Sequence, residues 1–184
     1  MVALEAPTAL LKGIASGGED NPIFYVSNKR VESLHVLLEF LKLQKIPLGP
    51  LLLRDFGDHL LFSKDPESHK KNNIKIILDS FPHLQFLLIG DSSERDPEIY
   101  RDVVKEYPTR VRAVYIRSIN RHPNRLAAID KLIEEIRLTG CQLVLAPDSE
   151  LAAAHAAAEG LISTSLLRTV RSKKRIRLRQ CNKR

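Results

Sequence analysis

Five short apolar runs, each followed by a stretch with apolar residues at helical spacing, constrain this chain more than any other feature of it. Ile23 to Val26, Leu51 to Leu53, Phe86 to Ile89, Val111 to Ile116 and Leu143 to Ala146 are too short to be buried helices and read as strands. After the first, Val31, Leu34, Leu38 and Leu41 fall on one helical face. Ile74, Ile77, Leu78 and Phe81 mark a second helix, stopped by Pro82. A third starts near Pro97, a residue favoured in the first helical turn, with Asp96 as its N-cap. A fourth carries Leu126, Ile129, Ile133 and Ile136 and ends near Gly140, and an alanine-rich fifth runs from about Glu150 to Glu159. Strand and helix alternating in this way predict an α/β fold: a doubly wound, mainly parallel sheet with helices on both faces. At 184 residues the chain has the length of one such domain.

The net charge of +7 suggests a nucleic-acid partner until it is located. Arg168, Arg171, Lys173, Lys174, Arg175, Arg177, Arg179, Lys183 and Arg184 supply nine positive charges after Glu159, the last acid, which leaves −2 for the rest. A mildly acidic domain therefore carries a basic tail, and the two are read separately. The sequence organises as an N-terminal segment, residues 1–20, a domain over residues 21–165, and the tail over residues 166–184. Cys141 falls in a buried strand and Cys181 in the tail, so a disulfide would pin a loose end to the core for little gain; reduced thiols and a cytoplasmic setting are expected. No apolar run approaches the roughly 18 residues that span a bilayer. The N-terminus carries Glu5 and lacks the positive start of a signal peptide.

In sheets of this kind ligands gather at the carboxyl ends of the strands. Ser27 and Asn28 close the first apolar run, Arg54 and Asp55 the second, and Asp91 the third; a polar loop before the second helix ends in His69, Lys70 and Lys71. A hydroxyl, a lysine and two carboxylates on one rim suit a phosphate held with a divalent cation. Lysine supplies fixed positive charge, the hydroxyl donates to a phosphoryl oxygen, and carboxylates hold a hard ion such as Mg²⁺, which keeps several waters. Each residue also has a purely structural reading. Ser27 suits an N-cap, Lys70 and Lys71 suit a solvated loop, and Asp96 before Pro97 is explained by capping, so Asp91 alone lacks an easy structural account. The six histidines show no paired metal spacing, which argues against zinc.

The order of the parts adds to this. "NPIFYVSN", "GPLLLRDFG", "HKKNNIKIILDSFPHLQFLLIGDSSERDPEIY" and "RVRAVYIRSI" resemble, in sequence order, the actin-patch-associated family of phosphatidate phosphatases, whose catalytic domain is haloacid dehalogenase-like. The likeness covers roughly Asn21 to Leu161 and is most specific from Lys70 to Tyr100. It implies a Rossmannoid core in which the Ser27 hydroxyl contacts the phosphoryl group, Lys70 stabilises its charge, and Asp91 and Asp96 hold and orient Mg²⁺. The implied reaction is hydrolysis of phosphatidate to diacylglycerol and phosphate.

The same resemblance exposes what is missing. Such phosphatases form an aspartyl-phosphate on the first aspartate of an Asp-x-Asp-x-Thr/Val motif, and the second protonates the leaving oxygen. These 184 residues contain no Asp-x-Asp, and the acids before Ser27 are Glu5, Glu19 and Asp20, none closing an apolar run. In the family's fold the strand bearing that motif is central, between those ending at Ser27 and Asp91. "APTALLKGIASGG" reads as a short helix ending in glycines, not as a replacement strand. The expectation is the later portion of a longer phosphatase, with a non-catalytic phosphate- or anionic-lipid-binding module as the alternative. Lys29 and Arg30 stand where the family has Ser-Pro, and Ser93 where it commonly has glycine. The tail suits an anionic membrane surface, where each Lys or Arg contributes about 1 kcal/mol, and a disordered solvated terminus is the plainer reading. Its lack of aromatic residues argues against stacking on nucleic-acid bases.

Overall fold

A computed structural model describes residues 5–16, 21–54 and 66–181. The elements run α1 (Glu5–Ala15), β1 (Tyr25–Arg30), a short 3₁₀ turn (Val31–Ser33), α2 (Leu34–Leu43), β2 (Leu51–Arg54), α3 (Pro66–Ser80), β3 (Phe86–Asp91), α4 (Asp96–Glu106), β4 (Val111–Arg117), α5 (Pro123–Arg137), β5 (Gln142–Ala146), α6 (Ser149–Ala158) and α7 (Thr164–Cys181). This is the predicted α/β alternation. All five strands fall where the apolar runs placed them, within two residues at the start, although β1 continues past Ser27 to Arg30. Asp55, expected to close the second strand, lies outside the described residues.

The hydrogen-bonded strands form two sheets, not one: β1 pairs with β2, and β3, β4 and β5 form a parallel sheet in that order. β4 is central, with Val114 opposite Leu88 of β3 and Leu143 of β5. β1 and β3 share no ladder, and residues 5–15 are helical as their sequence predicted.

The described residues divide into two compact units. The larger comprises residues 26–29, 52–54 and 66–147 of these and contains the three-stranded sheet. Its core joins Ile74 and Leu78 of α3, Tyr100, Val103 and Val104 of α4, Ile129 and Ile136 of α5, and Val111, Val114 and Ile116 of β4. Fully burying side chains of this size stabilises by about 1.5–3 kcal/mol each, and this cluster fixes the height at which β3 and β4 end. Gly140, with φ +82°, makes the turn after α5 that a side chain would strain.

The smaller unit comprises the described residues among 5–25, 30–51 and 148–181. Here α1, α6 and α7 pack together through Leu10, Ala153, Ala156, Ile162 and Val170. A Cβ on Gly13 of α1 would lie 1.6 Å from Leu166 Cδ2 of α7, so the crossing depends on glycine. Asp148 caps α6, accepting from the Glu150 and Leu151 amides at 2.9 and 3.1 Å. Lys174 donates to Asp148 at 2.7 Å and to Glu150 at 2.9 Å, and Arg171 to Glu150 at 3.2 Å. The basic segment is helix α7 as far as Cys181, not an unstructured terminus, and its Arg171 and Lys174 meet these acids near the middle of the helix.

Candidate functional site

The candidate residues Lys70, Asp91 and Asp96 all lie in the larger unit, and its sheet brings them together. Apolar β3 ends at Asp91, and the turn "SSER" returns the chain into α4 at Asp96. Two expectations about this region need correction. His69, Lys70 and Lys71 do not close a loop; α3 begins at Pro66, a residue suited to the first helical turn, and the good helix formers Glu67, Lys70 and Lys71 lead straight into the apolar face of Ile74, Ile77 and Leu78. Nor does Asp96 cap α4. The N-cap is Arg95, which makes no side-chain capping bond, and the Asp96 carboxylate turns away from the helix start.

That carboxylate is 4% exposed and both of its oxygens are engaged. Oδ1 accepts from the Lys70 ammonium, which is itself 6% exposed, and Oδ2 accepts from the Asp91 amide at 3.0 Å. Burial pushes the Asp96 carboxyl above its ordinary range, and the pull of Lys70 and the Asp91 amide offsets only part of that rise. Glycine is required at position 90 because a Cβ there would lie 2.3 Å from Asp96 Oδ2. Asp96 therefore acts as a clasp, holding Lys70 from α3 against the end of β3. Glu94 Oε2 lies 3.5 Å from the same ammonium. Burial raises the Tyr100 hydroxyl well above its usual range, with Asp96, Asp91 and Glu94 adding to the rise, and this neutral phenol donates to the Ile89 carbonyl at 2.9 Å.

Asp91 is differently arranged. Its Oδ1 accepts from the Ser93 amide at 2.8 Å, the Ser93 hydroxyl at 2.5 Å and the Glu94 amide at 3.3 Å. Its Oδ2 accepts no hydrogen bond among the described residues. The serine in place of glycine at position 93 thus adds a donor to Asp91.

Ser27 is not brought into this cluster by any hydrogen bond among the described residues. It sits within β1, and its hydroxyl accepts from the Lys29 amide at 3.2 Å. Beside it, Asn28 Oδ1 is buried with no hydrogen-bond partner among the described residues. An acceptor left in that state costs about 1–3 kcal/mol, which a donor or cation would recover. Sequence reasoning placed Asn28 at a strand end without giving it a role and passed over Gly90 and Glu94; the signal available for those two was their closeness to Asp91.

Among the described residues no three His, Cys, Asp or Glu side chains converge as a metal-binding group. The donors present still suit Mg²⁺, which takes one or two carboxylate oxygens and keeps most of its waters. Asp91 Oδ2 would hold the ion, with Asp96 orienting the strand end through the Asp91 amide.

The family model described as phosphatidate phosphatase APP1, catalytic domain, matches residues 3–118. The phosphatidate phosphatase APP1 of Saccharomyces cerevisiae is 31% identical over 100 residues, a match covering 53% of this chain and 17% of the yeast protein. No solved structure matches the chain significantly. The chain belongs to the phosphatidate phosphatase APP1 catalytic-domain family.

Proposed function

We propose that this chain supplies the phosphate- and Mg²⁺-binding part of a phosphatidate phosphatase site, on a haloacid dehalogenase-like core. The observation that carries the reading is the Lys70–Asp96–Asp91 arrangement at the end of β3, in which a buried ammonium is aimed by one carboxylate while the other keeps an oxygen available. Lys70 would neutralise a phosphoryl oxygen, and Ser27 would donate to another. Bound Mg²⁺, held by Asp91, would lower the charge of the phosphoryl group for attack.

The attacking carboxylate of an aspartyl-phosphate mechanism has no candidate in these 184 residues, which lack any Asp-x-Asp. The reading for this polypeptide is accordingly recognition without turnover.

Phosphatidate resides in bilayers, so the setting is a cytoplasmic membrane surface. No helix of the described residues is long and apolar enough to cross a membrane, and the basic sequence of α7 would supply about 1 kcal/mol of attraction per accessible Lys or Arg at an anionic surface. Binding to phosphatidate-containing and phosphatidylcholine vesicles, with phosphate release followed in the same samples, tests the proposal. Expected are Mg²⁺-dependent binding to phosphatidate vesicles, weakened by Asp91→Asn, and no phosphate release. Release that Asp91→Asn abolishes would overturn the assignment of recognition without turnover, and binding indifferent to phosphatidate would overturn the site.

A further inference from the structure

Asp91 can present an oxygen to a cation only if the turn that follows it is held still, and the residue best placed to hold it lies outside every motif considered so far. Arg125, in the first turns of α5, donates from Nε to the Ser92 carbonyl at 3.0 Å and from Nη2 to the Glu94 carbonyl at 2.7 Å. The same guanidinium pairs with Glu98 through Nη1 and, at 3.1 Å, through Nη2. One planar group thus grips the turn at two backbone carbonyls and the following helix at a carboxylate. A fork of five donors in fixed geometry can do this; an ammonium, a point charge on a flexible stem, cannot.

The grip is completed from β4. Ser92 is fully buried, its amide donates to the Arg117 carbonyl at 3.0 Å, and its hydroxyl accepts from the Ile119 and Asn120 amides, both at 2.9 Å. With Ser92 fixed on three sides and the Glu94 carbonyl held by Arg125, the Ser93 and Glu94 amides point back to Asp91 Oδ1. Asp91 Oδ2 is thereby left as the available oxygen.

We propose that Arg125 is a positioning residue for cation binding at Asp91, acting through the turn at residues 92–94. This rests on the reading of Asp91 as a Mg²⁺ ligand. The competing view is that Arg125 stabilises α4 against α5 through Glu98 and has no bearing on the metal.

The test compares Arg125→Lys with Glu98→Gln in the full chain, by Mn²⁺ titration with electron paramagnetic resonance, thermal unfolding, and amide exchange of Ser93 and Glu94. Arg125→Lys keeps the charge and loses the fork; Glu98→Gln loses the ion pair and keeps both carbonyl contacts. The expected result is that Arg125→Lys weakens Mn²⁺ by about 10-fold or more, as for other groups that orient metal ligands, and speeds exchange of both amides, whereas Glu98→Gln leaves both readouts near wild type even where its Tm falls as far. Equal changes in the two variants, or unchanged exchange at Ser93 and Glu94 in Arg125→Lys, would overturn the proposal. Failure of the underlying reading looks different: Mn²⁺ affinity would then be insensitive to Asp91→Asn, while the exchange comparison would still decide whether Arg125 holds the turn.

Discussion

The two sheets share a chain and an amphipathic design, yet they differ in how firmly they hold their residues. In the three-stranded sheet β4 has a partner on each side, and Val114 and Ile116 are wholly buried. In the two-stranded sheet neither β1 nor β2 contributes a fully buried residue. β3 lies between these extremes: it pairs on one edge only, and Ile89 is 41% exposed. The candidate site divides along the same line. Lys70, Asp91 and Asp96, backed by the larger core, form a closed set of hydrogen bonds, whereas β1 offers Ser27, bonded to its own turn, and Asn28 with an acceptor unmet among the described residues. What separates the two is the backing and not the number of paired edges: β3 has one hydrogen-bonded neighbour, yet its end is held by Asp96 and Lys70 against the larger core.

The largest expected contrast is between Lys70 and Ser27. Lys70→Ala leaves the buried Asp96 carboxylate unpaired and should cost about 3–5 kcal/mol in urea unfolding, whereas Ser27→Ala should stay within about 0.5 kcal/mol, as surface changes usually do. Equal costs would place both residues in equally ordered surroundings and break the comparison. Ile116→Ala should cost about 2–5 kcal/mol by leaving a cavity. Ile89→Ala, on the half-covered edge strand, should cost well under half of that. Native-state hydrogen exchange sharpens the same point, with β4 amides exchanging only by global unfolding and β1 amides earlier.

A smaller effect concerns acid. Burial raises the Glu98 carboxyl, but the Arg125 hydrogen bond and charge outweigh it and hold Glu98 below its usual range. A carboxyl lowered on folding contributes stability that is present above its unfolded value of about 4.3 and lost as pH falls through the lowered folded value. Arg125→Leu should therefore flatten the acid limb of a stability–pH profile between about pH 5 and 3. An unchanged limb would show that the pair contributes nothing there.

The strands were legible because short apolar runs between turn residues leave few alternatives, and the family resemblance pointed to Lys70, Asp91 and Asp96. What could not be read was how the carboxylates divide their work. Asp96 before Pro97 has the local signature of a cap, and only the tertiary approach of α3 reveals that Lys70 and the Asp91 amide claim it instead. Arg125 was invisible for a related reason: its partners are backbone carbonyls 31 and 33 residues away, which leave no mark on side-chain patterning. The docking of the basic helix is likewise marked by Lys174 meeting Asp148 and Glu150, again a long-range pairing.

The most direct test of the account is calorimetric titration of inorganic phosphate with and without Mg²⁺. It predicts binding that requires Mg²⁺ and is lost in both Asp91→Asn and Lys70→Met, each checked for folding by its amide spectrum. Phosphate binding that survives both substitutions, or that ignores Mg²⁺, would contradict the assignment of this strand end as a joint cation and phosphate site.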